Sequence, residues 1–190
     1  MAGAEHVLTD HGLGVSAIDF DPEGRWLATG GQDGLIRLWD VEGDGPPAYA
    51  WRAHEGEVNA LAFSPDAHWL ASGGTDAAVR LWNLESGAPE TEARALSGPV
   101  DRVFALAFSP DGRRLAAGSR GRDNNLWLWD FDGEDPGAAR TLGGHSSNVT
   151  SLAFSPDGHW LASGSADATA RLWDLALPQP GASPRLLRGH

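Results

Sequence analysis

HSSNVTSLAFSPDGHWLASGSADATARLWD, residues 145–174, is the stretch whose reading decides the fold. VTSLAF alternates with a period of two, as a half-buried strand does. SPDG then breaks the chain as a turn, HWLASGS reads as a second strand, and TARLWD as a third. Weaker copies of this text end at Trp39-Asp40, Trp82-Asn83 and Trp129-Asp130, and successive tryptophans lie 43, 47 and 44 residues apart. Strand–turn–strand content repeating at such a period belongs to propeller blades or a solenoid.

Working outward, unit one is GVSAIDF, DPEG, RWLATGG and LIRLWD, followed by the weaker strand AYAWR (48–52). Unit two runs from EVNALAF to AVRLWN with TEARAL (91–96) after it. Unit three runs from RVFALAF to LWLWD with AARTL (138–142) after it. Unit four is the quoted stretch followed by PRLLRG, and the chain stops at Gly189-His190, residues that would open a fifth unit. Residues 5–9, EHVLT, read as one further outer strand. The blades are expected at about 14–52, 57–96, 102–142 and 148–188 of a single 1–190 domain. Loops rich in Gly, Pro and acidic residues recur at the same place in each unit, so they read as connections rather than domain boundaries. One small antiparallel sheet cannot bury both of its faces, whereas stacked copies can.

Composition agrees with a packed all-β chain. Apolar residues make up 41% of the 190, with nine tryptophans, which is too much for disorder. No segment keeps a helical apolar stripe for three turns without a Gly or Pro interrupting it. There is no cysteine, so disulfides and sulfur-ligated zinc are excluded. The sequence has no apolar run long enough for a membrane helix, and MAGAEHVLTD lacks the basic start and apolar core of a signal peptide, so a cytoplasmic setting without a leader is the expectation. With 26 acidic against 14 basic residues the formal charge is −12, which repels phosphate backbones and argues against nucleic acid as a partner.

The chain resembles the WD40-repeat propeller family. His11, His54, His145 and His190 stand where units open; the run V-x-x-[LI]-x-F-[SD]-P-[DE]-G recurs; three units close on Trp-Asp and one on Trp-Asn. The resemblance covers essentially the whole chain. It implies blades of four antiparallel strands, and the Ala/Gly/Pro-rich acidic composition suggests a bacterial source. His11, Thr29, Asp33 and Trp39 follow at offsets of 18, 4 and 6, and His54, Ser72, Asp76, Trp82 and His145, Ser163, Asp167, Trp173 repeat them. In the family such a set is a hydrogen-bonded network inside a blade, in which Asp holds His, His meets the hydroxyl, and the hydroxyl meets the indole N–H.

Ser, His and Asp together also invite a hydrolytic reading. A triad needs one singular nucleophile beside an oxyanion site. Here the trio occurs three times, each tied to a Trp, with no G-x-S-x-G elbow. One histidine per unit likewise argues against a metal site. No catalytic residue, cofactor or metal is expected. Unit three departs from the pattern, with the Gly98-Pro99 region in place of His and Ala117 in place of the hydroxyl, while Asp123 and Trp129 remain. Its connection Arg120–Asn125 carries two extra residues, and Trp127 stands where other units have Arg37, Arg80 and Arg171. Those arginines are expected along the blade flank, their stems covering apolar surface.

The resemblance implies that partners dock where loops join outer to inner strands. The matching positions are Gly14, Ser16 and Gly34; Glu57, Asn59 and Ala77; Arg102, Phe104 and Asn124; and Asn148, Thr150 and Ala168. Of these Glu57, Asn59, Arg102, Phe104, Asn124, Asn148 and Thr150 are the candidate contacts, and the third set has the composition of an interface hot spot. The function implied is a non-enzymatic scaffold for a protein or peptide. Four such blades form an arc or half ring, which leaves two end faces bare. Either the chain is a piece of a larger propeller, or two copies complete an eight-bladed ring as a homodimer. In that ring residues 5–9 compete with 184–188 of the other copy for one sheet edge.

Overall fold

The computed structural model describes residues 7–43, 45–91, 93–120, 125–132, 135–177, 181 and 184–188. Four antiparallel sheets stand side by side. Blade one is β1 (Val15–Phe20), β2 (Trp26–Gly31), β3 (Leu35–Asp40) and β4 (Tyr49–Arg52). Blade two is β5 (Val58–Phe63), β6 (Trp69–Gly74), β7 (Val79–Asn83) and β8 (Arg94–Leu96), with one short 3₁₀ turn at Pro89–Thr91. Blade three is β9 (Val103–Phe108), β10 (Arg114–Ser119) and β11 (Leu126–Asp132), with β12 (Asp135–Pro136) and β13 (Arg140–Leu142) both paired to β11. Blade four is β14 (Val149–Phe154), β15 (Trp160–Ser165), β16 (Ala170–Asp174) and β17 (Arg185–Leu187). Each sheet keeps its strands in chain order, the extra β12 of blade three excepted. The reading of an all-β row of four-stranded blades is what the coordinates contain.

The turns between first and second strands show why the SPDG text folds as it does. Ser64 Oγ donates to Asp66 Oδ1 at 2.5 Å and accepts the Trp69 N–H at 3.0 Å, which closes the hairpin from inside. Ser109 with Asp111 and Ser155 with Asp157 repeat the device, while in blade one the carboxylate of Asp21 takes the Trp26 N–H directly at 2.7 Å. The fourth turn residue sits at positive φ, as Gly24, Gly112 and Gly158 do. Blade two places Ala67 there at φ 60°, a conformation that crowds its Cβ.

The core lies between blades rather than within them. Ala28, Ile36, Leu38 and Trp51 of blade one pack on Val58, Leu61 and Phe63 of blade two. Ala71, Val79, Leu81 and Leu96 receive Val103 in the same way, and Ala116, Leu126, Leu128 and Leu142 receive Val149. Backbone links reinforce the stacking: the Phe63 N–H donates to Asp19 Oδ2 at 2.8 Å, and burial pushes that carboxyl's pKa up. The row does not close on itself. Val15 and Phe20 in blade one are 50% and 53% exposed, whereas Val58 and Phe63, their equivalents in blade two, are 0% and 7%.

Val7–Thr9, part of the outer strand expected at 5–9, runs without strand pairing, and residues 5 and 6 lie outside the described residues. The physical reason is that β4 already fills the outer edge of blade one and β17 that of blade four. The outer strand expected at 138–142 shortens to Arg140–Leu142, as that expected at 91–96 shortens to Arg94–Leu96, and the far end of β11 pairs instead with β12.

Candidate functional site

Two constellations recur from blade to blade: a buried polar network and a row of bulged residues along the innermost strands. In blade two, His54 Nδ1 lies 2.8 Å from Asp76 Oδ1 and Nε2 lies 2.8 Å from Ser72 Oγ. The Trp82 Nε1–H donates to the same Ser72 Oγ at 2.9 Å. Nδ1 also lies 2.7 Å from Arg80 Nη1, so it faces a carboxylate acceptor and a guanidinium donor at once, while the Ser72 hydroxyl stands between Nε2 and the indole N–H that donates to it. Blade four repeats these distances through His145, Asp167, Ser163 and Trp173, and Thr169 Oγ1 adds a 2.6 Å bond to the carboxylate.

Blade one differs in its His–Asp distance. His11 Nε2 meets Thr29 Oγ1 at 2.8 Å and the Trp39 indole meets it at 2.9 Å, but His11 Nδ1 is 3.5 Å from Asp33. Arg37 Nη1 comes between them, 2.7 Å from Nδ1 and 3.0 Å from Asp33 Oδ2. The imidazole therefore accepts from the guanidinium and its Nε2–H donates to Thr29. Arg80 sits likewise in blade two, 2.7 Å from His54 Nδ1 and 2.9 Å from Asp76 Oδ2, so the two blades differ in the His–Asp distance and not in the arginine. These arginines were expected along the flank; instead they reach the His–Asp pair, because the Asp turn brings a residue four positions on back beside the carboxylate. An Arg four residues after the turn Asp was the available signal in units one and two; in blade four the hydroxyl of Thr169 bonds the Asp167 carboxylate.

Electrostatics follow from burial. His54 is driven below its ordinary value mainly by desolvation, against the pull of Asp76, so it stands neutral. Burial also pushes the Asp76 carboxyl up, but bonds from His54, Arg80 and the Glu55 N–H outweigh that and hold it at about 2. These serines are not nucleophiles: Ser72 and Ser163 are 0% and 2% exposed, and each oxygen already receives an indole N–H. Among the described residues no three His, Asp or Glu side chains are arranged to hold a metal ion. In blade three Ala117 replaces the hydroxyl, Asp123 lies outside the described residues, and the Trp129 indole donates to the Ser97 carbonyl at 3.0 Å.

The second constellation is built by register. Each innermost strand breaks step with its neighbour at one position, leaving Ser16, Asn59, Phe104 and Thr150 as the extra residue of a bulge. A bulge re-aims a side chain and twists the strand locally. All four residues border one shallow depression of about 320 Å³ on the inner side of the arc, with Leu61, Leu106 and Leu152 among its other walls.

The candidate contacts divide there. Ser16 Oγ donates to Glu57 Oε1 at 2.6 Å, which ties blade one to blade two. Asn59 Nδ2 donates to the Val103 carbonyl at 3.1 Å, which ties blade two to blade three. Both side chains are thus committed to stacking, and sequence spacing carried no signal of that. Arg102 is exposed, and its carbonyl accepts the Arg120 N–H at 2.8 Å. Phe104 is half-buried with the Arg120 guanidinium 5.0 Å above its ring, a cation–π contact. Asn148 is half-buried and holds the Ala166 N–H on its carbonyl, Thr150 is exposed, and Asn124 lies outside the described residues.

The model of the WD domain, G-beta repeat, matches residues 4–40, 45–83, 90–130 and 138–174, each match ending on the third strand of a blade and the last three taking in the outer strand of the blade before. A stretch of 54 residues is 35% identical to the WD repeat-containing protein 91 homolog of Dictyostelium discoideum, covering 28% of this chain and 7% of that protein. Phased Trp-Asp strand ends, four stacked sheets and four successive matches agree on one assignment: the chain belongs to the WD40-repeat family, whose propellers are non-catalytic folds generally used for binding.

Proposed function

We propose that this chain is a scaffold that takes a protein or peptide segment on the inner side of its arc, at blade three. One observation carries the reading: four bulged residues border one shared depression, and only the third is aromatic, with the Arg120 guanidinium over its ring and the exposed Arg102 two residues before it in the chain. Aromatic and Arg side chains at the centre of a surface are the usual anchors of binding energy. Ser16, Glu57 and Asn59, held by inter-blade bonds, form a rigid wall for such a ligand. The test is selection of binders from a random peptide library on the immobilised chain. Arg102→Ala and Phe104→Ala are expected to weaken selected peptides by roughly 10-fold or more while leaving the circular dichroism spectrum unchanged. Peptides that bind both variants as tightly as the parent overturn the reading.

A second reading has its own support. The bare face of blade one favours association of two copies into an eight-bladed ring. It is independent of the peptide site, since Val15 and Phe20 do not border the depression.

A further inference from the structure

Each of the three stacked interfaces is closed by the same pair of residues. Val58 sits on Gly30, Val103 on Gly73 and Val149 on Gly118. A Cβ on Gly30 or Gly118 would come within 2.6 Å or 2.7 Å of the facing valine Cγ1, and on Gly73 closer still. Only a glycine leaves room for that close approach, and all three valines are 0% exposed. Around this knob and seat, the receiving blade supplies an alanine, two aliphatic residues of its third strand and one apolar residue of its outer strand.

The chain carries one unused knob and one unused seat. Val15 is the knob of blade one and is 50% exposed. Gly164 is the seat of blade four, and a Cβ there would meet only Ser151 Oγ of its own blade. The rest of that receiving face is present as Ala162, Ala170, Leu172 and Leu187, in the registers that Ala28, Ile36, Leu38 and Trp51 occupy in blade one. These four are incompletely buried, and Leu187 is 44% exposed. The open ends are thus the two halves of an interface that the molecule already makes three times.

The geometry points to a second copy of this chain as the occupant, docked head to tail with its Val15 on Gly164. This deepens the reading of self-association and rests on it. A pairing of unlike faces repeats at the other end, so two copies bury both knobs and both seats.

The experiment uses the whole 190-residue chain in sedimentation velocity at about 50 μM, where an association of this kind is populated. The expected result is a two-chain species for the parent. Val15→Arg and Gly164→Phe are each expected to weaken it by roughly 100-fold, because charge burial and overpacking act on both copies of the contact. An equimolar mixture of the two variants keeps one intact Val15–Gly164 contact and recovers two-chain mass. Leu187→Glu, on an exposed outer strand, repeats the loss without touching the inner sheet, and thermal melting checks that each variant is folded. A parent that stays monomeric overturns both self-association and this docking, and leaves the two faces to a different partner. A dimer that survives Gly164→Phe and Leu187→Glu, or a mixture that recovers nothing, overturns the head-to-tail docking alone.

Discussion

Blades two and three bury the same tryptophan in two different ways. Trp82 and Trp129 are 3% and 1% exposed, so both indole N–H groups need a partner inside the protein. Trp82 finds Ser72, and behind it His54, Asp76 and Arg80. Trp129 finds a backbone carbonyl, that of Ser97. Blade three has Ala117 at the hydroxyl and Gly98-Pro99 at the imidazole, so these polar members are exchanged together for apolar ones, while Trp127 at the guanidinium keeps a buried indole N–H with no partner among the described residues. The glycine fits that exchange, since a Cβ at position 98 would lie 3.0 Å from atoms of both Trp127 and Trp129. Removing a whole set of partners is nearly neutral where removing one is costly, because the cost lies in the atoms left unpaired.

The sharpest way to break that comparison is to remove one member from blade two. Ser72→Ala leaves His54 Nε2 and Trp82 Nε1 buried without a partner and is expected to cost about 2–3 kcal/mol in urea unfolding. Ala117→Ser in blade three, at a site that is 0% exposed, adds a hydroxyl with no imidazole opposite and is expected to destabilise rather than help. A Ser72→Ala cost near zero, or a gain from Ala117→Ser, breaks the argument.

Acid should separate the blades next. The His54 pKa lies below its ordinary 6.5 in the fold, so the unfolded chain takes up that proton first. Its contribution is complete above pH 6.5 and drains away as pH falls below it. The Asp76 carboxyl is lowered from 3.8 to about 2, so its share is present above 3.8 and is lost as pH falls toward 2. The unfolding free energy from urea titrations is expected to drop between about pH 7.5 and pH 5 and again by pH 3, by about 1–2 kcal/mol in total. Asp76→Asn should shrink the lower step without abolishing it, since the Asp33 and Asp167 carboxyls are held low as well; an unchanged acid profile in that variant assigns the whole loss to other carboxylates.

The smallest effect concerns the first hairpin turns. Ala67 in blade two is at φ 60° where blade three has Gly112 at φ 70°. Ala67→Gly is expected to gain about 1 kcal/mol and Gly112→Ala to lose as much, read from thermal midpoints. Equal midpoints for parent and Ala67→Gly indicate that neighbouring contacts hold the turn regardless of the Cβ.

Much of the fold was legible because it is local. A Trp-Asp strand end every 43 to 47 residues, SPDG turns and strict alternation specify strands and hairpins within a few residues of themselves. The surface was far less legible. Glu57 and Asn59 carry the residue types of a binding position, yet both side chains bond an adjacent blade. Arg37 and Arg80 read as flank residues, yet both reach the His–Asp pair. The Glu57 and Asn59 bonds depend on how one blade seats on the next, a relation between residues 41 and 44 positions apart that no local pattern encodes, whereas the arginine bonds lie within one blade.

Sequence alone determined that this chain is four phased antiparallel sheets with apolar residues on both faces, because period and alternation are properties of neighbouring residues. Only the tertiary structure decided which faces are satisfied. Val58, Val103 and Val149 vanish onto glycines while Val15, the same letter in the same motif, stays half in water, because burial depends on what stands opposite a residue.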